Sequence, residues 1–271
     1  MKKTVILKLG GSVITRKNSP KPYVRKKLLG EIALHLREVL QKNTDTRIIL
    51  LHGAGSVGHQ IAHKYNLSEG VLGDEKKLRG SLEIRRKNQI LNARIFSIFL
   101  ENKLNIVPVH TGSSILSKDA SIASIFYDII DRAFLNNTIP LLYGEMTFDS
   151  TLGMSVCSGD EIAAHLSRHY QAERVIFASD VDGIFSKDPY RYPDAKKIGV
   201  ISIQNLLNHN EISLSDSHSI DVTGGIRNKV DSFRKFSSSS IRDVIVFNGL
   251  ETKNFKKILD NDPPGTKILF S

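Results

Sequence analysis

The stretch that decides the fold is LLHGAGSVGH, residues 50–59. It begins in an apolar run typical of a buried strand, then opens into a turn with three glycines and ends on a second histidine, His59. At a junction between a strand and a helix, glycines let backbone N–H groups approach oxygen atoms closely, and the helix dipole adds positive potential. The stretch therefore predicts a strand–turn–helix unit. Taken alone, its glycines are as expected for a simple turn, and together with similar turns elsewhere in the chain they would suit a phosphate.

Short β-branched apolar runs alternate with segments of helical period along the whole chain, which favours βα units and a largely parallel sheet. Strands are predicted at residues 4–9, 47–52, 105–110, 139–143, 174–178, 243–247 and 267–270. Helices are predicted at residues 23–41, 82–102, 159–169 and 225–235. In the second of these helices Ile84, Leu91, Ile95 and Phe99 recur at helical spacing, which indicates a stripe facing the core.

Composition narrows the class of protein. The 271 residues, 40% of them hydrophobic, suffice for one large α/β domain or two small ones. A hairpin turn predicted at 149–154 marks the boundary between an N-terminal and a C-terminal half. The net charge of +10 favours anionic partners, but the basic residues lack a recognisable nucleic-acid motif, so no nucleic-acid partner is expected. The single cysteine, Cys157, excludes an internal disulfide framework. No run reaches the ~18 apolar residues of a membrane span, so we expect a cytoplasmic protein without a membrane partner.

Four glycine-bearing junctions stand out within the βα pattern. They read LKLGGSVITRK at 7–17, HGAGSVGH at 52–59, VCSGDEIAAHL at 156–166 and DVTGGIRNK at 221–229. Ser158 or Asp160 can cap the helix that starts in the third. Lys8, Lys17 and Lys229 lie beside these turns, where ammonium groups would neutralise the charge of a phosphoryl group in transfer.

Other interpretations of the same residues are weaker but stay open. GAGSVG at 53–58 fits the dinucleotide fingerprint GxGxxG, yet it follows the second strand, and no strand precedes the acidic residues Glu69 and Asp74. His59 and His63 have the spacing of helical zinc ligands, but the residues between them lack a metalloprotease glutamate. We therefore assign no metal-ligating residue. Taken alone, His59 is as consistent with a capping or surface role as with ligand binding.

The motifs occur in the order found in the amino acid kinase superfamily: LKLGGSVITRK, HGAGSVGH, YGE at 143–145, SGDEI at 158–162, SDVDGIFSKDP at 179–189 and DVTGGIRNK. Together they resemble the isopentenyl phosphate kinase branch over nearly the whole chain. The resemblance implies an α/β protein, a three-layer αβα sandwich with a mostly parallel central sheet. It also implies a homodimer that transfers the γ-phosphate of ATP, with Mg²⁺, to isopentenyl phosphate. The single domain over 1–271 would have an acceptor-binding half of about 1–155 and a nucleotide-binding half of about 156–271.

The resemblance also implies roles for individual residues. Lys8, Lys17, His59 and Asp160 would be catalytic, and Asp160 would pair with the lysines and keep them charged. The ATP side would comprise Lys8, Gly10, Gly11, Ser12, Gly55, Asp180, Asp182, Gly183, Phe185, Lys187, Pro189, Gly225 and Lys229. The acceptor side, a small phosphorylated molecule, would be bound by Gly53, Ala54, Gly55, His59, Gly144 and Gly159.

Departures from the family pattern concern the acceptor. Val57 stands where phenylalanine is usual, and Glu145 where aspartate is usual. Arg85 and Arg86 lie in the middle of the helix that would line the isoprenoid pocket. If the two arginines face inward, the pocket is polar. If they face outward, Leu82, Gln89 and Phe96 can still border the pocket. Alternatives are therefore a kinase for another phosphomonoester or a phosphonate, or an inactive nucleotide-binding relative, which the retained lysines disfavour.

Overall fold

The fold is seen here in a computed structural model that describes residues 2–16, 24–187, 189, 192–208, 241 and 243–270. In these residues it consists of a large sheet, a four-stranded sheet, the small antiparallel pair of Ile184–Phe185 with Lys197–Ile198, and the helices around them. Its strands, in chain order, are β1 (Lys3–Leu9), β2 (Thr46–His52), β3 (Ile106–Pro108), β4 (Ile115–Lys118), β5 (Ser121–Ile125), β6 (Ile139–Tyr143), β7 (Glu145–Asp149), β8 (Gly153–Cys157), β9 (Arg174–Ser179), β10 (Ile184–Phe185), β11 (Lys197–Ile198), β12 (Val200–Ser202), β13 (Asp243–Asn248) and β14 (Thr266–Leu269). Its α-helices are α1 (Gly11–Ile14), α2 (Lys26–Lys42), α3 (Gly55–Lys64), α4 (Glu75–Glu101), α5 (Thr111–Ser114), α6 (Tyr127–Leu135), α7 (Gly159–His169) and α8 (Ile203–Asn208). Short 3₁₀ helices span Leu67–Glu69 and Thr252–Lys257.

In the described part of the chain the large sheet has eight strands in the order β12-β14-β13-β9-β1-β2-β6-β3. Neighbouring strands run parallel except for β13 and β14, which are antiparallel. Every residue of β1 after Lys3 is buried, as expected for a strand covered on both faces. Because β1 and β2 lie at the centre, the turns that follow them meet at one edge of the sheet.

Two hydrophobic cores cover the two faces of this sheet. One packs α2 and α4 against the sheet and includes Leu36, Ile95 and Phe99. The other packs α6 and α7 and includes Ile130 and Ile162. The molecule thus has the three-layer αβα architecture with a mostly parallel sheet that the sequence predicts. No described helix combines the length and the apolar character that crossing a membrane requires.

Most predicted elements are confirmed, with shifted ends. The strands at 139–143 and the helix at 159–169 match β6 and α7. The strand expected at 105–110 stops at Pro108, because the chain turns away to begin α5. The helix expected at 82–102 begins at Glu75, where the side chain of Asp74 accepts a hydrogen bond from the Lys77 N–H at 2.9 Å. The helix predicted at 23–41 begins at Lys26, and the one at 225–235 lies outside the described residues.

A second, four-stranded sheet with the order β5-β4-β7-β8 was not expected from the sequence. Only its β7–β8 hairpin was predicted, through the turn at 149–154, and the antiparallel pairing confirms it. Asp149 joins the two hairpins of this sheet: its carboxylate accepts hydrogen bonds from the N–H groups of Asp119, Ala120, Thr151 and Leu152 and from the Ser155 hydroxyl. Burial raises the pKa of Asp149, but these donors outweigh it and lower the pKa to about 2.

Asp149→Asn is expected to lower the free energy of unfolding at neutral pH by about 2 kcal/mol, since an amide replaces one acceptor oxygen with a donor that faces other donors. A carboxyl whose folded pKa is depressed stabilises the fold above its unfolded pKa, and that stabilisation is lost as the pH falls towards about 2. The difference between variant and wild type should therefore shrink between pH 4 and pH 2 in chemical denaturation. Asp262→Asn, at an exposed position, is the control. A difference independent of pH would contradict the carboxylate's role.

Candidate active site

Glycine turns meet at the carboxyl edge of the large sheet, where β1, β2 and β6 end and α7 begins, and we call the region between Gly11, Gly53, Gly144 and Gly159 the hollow. A Cβ on Gly53 would lie 3.1 Å from the Gly11 nitrogen, and one on Gly144 would lie 3.1 Å from the Gly159 nitrogen. A Cβ on Gly11 would meet the Gly55 α-carbon at 3.2 Å. Five predicted glycines from four separate parts of the chain thus come together, and only glycine permits backbones this close.

Lys8 reaches this hollow from β1. Its side chain is almost fully buried, and Nζ donates to Oδ1 of Asp160 on α7 at 2.6 Å. A Cβ on Gly159 would approach the Lys8 side chain to 3.0 Å at Cε, so this glycine makes room for the lysine. A buried ammonium needs a charged partner to stay protonated, and Asp160 supplies one. The predicted pairing of Lys8 with Asp160 is present.

Helix α7 presents its N-terminus to the same hollow. The Ser158 side chain caps it by accepting from the Glu161 N–H at 3.1 Å, whereas the Asp160 side chain turns to Lys8. Of the two capping candidates, Ser158 is therefore the cap. The first N–H groups of a helix attract anions, so the hollow has a lysine on one side and a helix N-terminus on the other.

His52, the first histidine of LLHGAGSVGH, is a buried residue that sequence reasoning missed. Its Nδ1 donates to the Gly53 carbonyl at 2.8 Å, and its Nε2 lies 3.1 Å from Oδ1 of Asn92 on α4. With the ring proton on Nδ1, Nε2 is an acceptor, so the Asn92 amide is turned over and donates to it through Nδ2. Burial lowers the pKa of His52 to about 4, although both hydrogen bonds oppose the shift. The ring is therefore neutral at physiological pH and belongs to the support of the site.

Arg85 faces inward and Arg86 faces solvent, which settles the rotation of α4 that the sequence left open. The Arg85 guanidinium lies 3.4 Å from the Gly112 carbonyl and stacks over the Phe148 ring. Nearby, Glu145 is buried and accepts from the Gly112 N–H at 3.3 Å. Burial raises the pKa of Glu145 to about 7, while the charge of Arg85 and the hydrogen bonds from Gly112 and Tyr143 oppose the shift.

Residues predicted for the nucleotide side follow β9. Asp182 accepts a hydrogen bond from the Asn248 side chain at 3.0 Å, and Lys187 pairs with Asp194 at 2.6 Å. Gly183 has φ of +141° and packs against Thr266 so closely that a Cβ would clash with its hydroxyl. Three more predicted residues lie on the segment after β9, namely Asp180, Phe185 and Pro189. Two others, Gly10 and Ser12, follow β1.

Some predicted residues cannot be located in this geometry. Lys17, Gly225 and Lys229 lie outside the described residues. His59 is on α3, directly after the glycine turn that contains Ala54, but its side chain also lies outside the description. Asn88 and Asn92 on α4 were missed altogether, although their positions on the buried stripe of Ile84 and Leu91 were a signal, since buried amides need hydrogen-bond partners.

Phosphate-binding α/β proteins use glycine turns and helix N-termini at this edge of a parallel sheet, and the fold and site place the chain in that broad class. Within it, the model of the amino acid kinase family matches residues 3–248. The chain belongs to the amino acid kinase family.

Several proteins are similar to this chain over almost all of its length. An isopentenyl phosphate kinase of Methanocaldococcus jannaschii is 32% identical, with 98% of each chain covered. A glutamate 5-kinase of Pelagibacter ubique is 27% identical over 96% of this chain and 67% of its own length. Among solved structures, one of an isopentenyl phosphate kinase has a TM-score of 0.80 and 25% identity, covering 98% of this chain and 100% of that chain.

Proposed function

We propose that this protein transfers the γ-phosphate of ATP to isopentenyl phosphate and releases isopentenyl diphosphate and ADP. The observation that carries the proposal is the buried Lys8–Asp160 pair beside a hollow of bare backbone, which suits a multiply charged phosphate and little else. Full-length similarity to proteins named isopentenyl phosphate kinase supports the choice of acceptor. Similarity to glutamate 5-kinases supports only the wider reaction class.

On this proposal Lys8 and the backbone of Gly10, Gly11 and Ser12 hold the ATP phosphates, and Lys17 meets the phosphoryl group in transfer. Lys8 stays charged because Asp160 faces it at 2.6 Å. The nucleotide would extend over the segment from Asp180 to Pro189 and over Gly225 and Lys229. Charge stabilisation of this kind is the main way proteins accelerate phosphoryl transfer.

On the acceptor side, the backbone of Gly53, Ala54, Gly55, Gly144 and Gly159 would surround the phosphate of isopentenyl phosphate, and His59 would donate to its oxygens. No general base is needed, because the attacking phosphate oxygen is already ionised at neutral pH. The protein's task is then to hold the two phosphates in line and to neutralise their charge.

Mg²⁺ belongs to the proposal as the partner of ATP. Among the residues described, no group of three or more His, Cys, Asp or Glu side chains could cage a metal ion. Mg²⁺ commonly takes most of its ligands from substrate phosphates and water, so it would arrive with the triphosphate. When bound, Mg²⁺ would add positive charge at the transferred phosphate.

A buried apolar cluster near the glycine turns supports an acceptor with a short hydrocarbon chain. Ile61, Ile84, Met146 and Met154 form a small hydrophobic cluster between α3, α4 and the second sheet, one turn along α4 from the phosphate loops. The observation that favours a more polar acceptor, such as another phosphomonoester or a phosphonate, is the inward position of Arg85. Its contacts with Gly112 and Phe148 direct the guanidinium to the second sheet.

Isopentenyl phosphate is expected to exceed methyl phosphate in kcat/KM by on the order of 100-fold, because four buried carbons at about 0.8 kcal/mol each give ~3 kcal/mol. ADP release with both acceptors measures this ratio, and fosfomycin and acidic amino acids complete the panel. Arg85→Leu should leave the ratio high, and Arg86→Leu, at the neighbouring exposed position, is its matched control. Equal use of both acceptors, or activity only on a more highly charged acceptor that Arg85→Leu abolishes, would refute the isopentenyl assignment.

A homodimer located in the cytoplasm completes the proposal. The exposed side chains of Phe126, Ile129 and Leu135, on or beside α6, support it, because they offer apolar surface that a second copy could cover.

A further inference from the structure

Helix α4 carries two asparagines on its buried face. Asn88 and Asn92 are each 1% exposed, and they lie on the stripe that also contains Ile84, Leu91 and Ile95. An amide placed among apolar side chains destabilises the fold unless its donors and acceptors are satisfied. Both amides find their partners at the glycine-lined hollow.

Asn88 contacts the end of β6 directly. Its Nδ2 donates to the Gly144 carbonyl at 3.1 Å. The Gly144 N–H donates to the His52 carbonyl at 3.1 Å, so this glycine is held at both its N–H and its C=O. Its bare α-carbon is thereby left facing the first N–H of α7, at Gly159.

Asn92 contacts the end of β2 through His52. The histidine ring lies between the Asn92 amide and the Gly53 carbonyl, at 3.1 Å and 2.8 Å, and it stacks on Tyr143 with ring centroids 5.1 Å apart. In a trans peptide the C=O and the next N–H point in opposite directions. A Gly53 carbonyl fixed on the ring therefore fixes the direction of the Ala54 N–H, a group assigned above to the acceptor phosphate.

We propose that Asn88 and Asn92 are positioning residues that set, from one helix, the orientation of the two peptides facing the acceptor phosphate. The inference rests on the proposed function for the identity of that phosphate. The helix is well suited to the task, because Ile84, one turn before Asn88, belongs to the apolar cluster with Met146 and Met154. One rigid element thus contacts both the hydrocarbon cluster and the phosphate loops.

The expected effect follows from the geometry of an in-line transfer, in which a misplacement of about 1 Å lowers the rate by on the order of 100-fold. Asn88→Leu keeps the side-chain volume but removes the donor to Gly144. It should lower kcat with isopentenyl phosphate by about 10- to 100-fold and raise the acceptor KM, while the ATP KM changes by less than about twofold. Asn92→Leu should act in the same direction through His52.

Two further variants separate positioning from a purely structural role. Asn88→Asp has the same shape, but only its protonated form can donate to the Gly144 carbonyl, so its activity relative to wild type should rise as the pH is lowered from 8 to 6. Asn102→Leu removes an amide at the far end of α4, where Nδ2 donates to the Ile98 carbonyl, and should leave both KM values unchanged. Melting temperatures of all variants show how far each effect is a loss of folding.

A binding measurement makes the inference independent of the acceptor's identity. Calorimetry with inorganic phosphate should give a dissociation constant about tenfold higher for Asn88→Leu than for wild type and unchanged for Asn102→Leu. If no acceptor in the panel turns over but this loss appears, the proposed function fails and the positioning role stands. Wild-type kinetics and phosphate affinity in Asn88→Leu, or a wild-type protein that binds no phosphate, would overturn it.

Discussion

Replacing Lys8 with methionine is expected to lower kcat by about 10³-fold and to weaken ATP binding as well, because a buried charge acts on phosphate far more strongly than a solvated one. Lys8 is 7% exposed, and its ammonium lies 2.6 Å from Oδ1 of Asp160 beside the glycine turns. Methionine keeps an unbranched side chain that is one atom shorter and removes the ammonium with its charge and its donors. Steady-state ADP release at saturating ATP measures the effect.

Stability must be separated from catalysis in this variant, because Lys8→Met leaves the Asp160 carboxylate buried without its cation. Adding Asp160→Asn removes that unpaired charge, so the double variant should regain melting temperature without regaining turnover. Lys3→Met, at the other end of β1 and with its side chain 56% exposed, is the matched control and should keep wild-type kcat. Turnover of Lys8→Met within tenfold of wild type would exclude Lys8 from the transfer step.

The elements that the sequence predicts correctly are those in which the hydrophobic pattern of the residues matches their burial in the structure. Strands of the large sheet are covered on both faces, so β1, β2, β6, β9 and β13 read as continuous apolar runs with recognisable ends. Strands β4 and β5 were not predicted, because they are short and half exposed and their sequences mix serines with isoleucines. The first turns of α4 were missed for a related reason: they are polar and contain Gly80, which is required there because a Cβ would clash with Tyr65.

In the candidate site, the glycine turns could be predicted from the sequence, whereas the side chains that hold these turns in place could not. Gly11, Gly53, Gly144 and Gly159 lie in motifs, and the parallel order of the strands dictates that they meet. Asn88 and Asn92 belong to no motif, and His52 begins HGAGSVGH but was given no role. The contacts of these three residues depend on the rotation of α4 about its axis. That rotation is fixed by packing across the whole helix, which also decides that Arg85 faces inward while Arg86 does not.

A second charged pair is buried at the opposite edge of the large sheet, and it should act on stability alone. Arg174 and Asp243 are the first residues of the neighbouring strands β9 and β13. Their side chains meet twice, from Nε to Oδ1 at 2.7 Å and from Nη2 to Oδ2 at 3.2 Å, and Nη1 donates to the carbonyls of Ile258 and Asp260. Both side chains are almost fully buried. Lys267 also contacts Asp243, from Nζ to Oδ2 at 3.3 Å, so Asp243 keeps one cation when Arg174 is removed. Arg174, in contrast, loses the carboxylate that pairs with it in the interior when Asp243 is removed.

Arg174→Met is expected to lower the free energy of unfolding by about 3 kcal/mol, because it removes a buried cation beside Asp243 and the donor to two carbonyls. At this chain length that corresponds to about 5 °C in melting temperature. Arg174→Met with Asp243→Leu should be less destabilised than the sum of the two single variants, because neither member of the buried pair is then present without the other. Lys267 still loses its contact with Asp243, and the carbonyls of Ile258 and Asp260 still lose their donor. Lys26→Met, which breaks an exposed pair with Glu101 at 3.2 Å, is the control and should change stability by less than about 1 kcal/mol.

Below its melting temperature Arg174→Met should retain wild-type kcat, since the pair lies at the edge of the sheet farthest from Lys8. Additive losses in the double variant would show that the two charges do not stabilise each other, and a large fall in kcat at a temperature where the variant is folded would show that this edge of the sheet is coupled to the site.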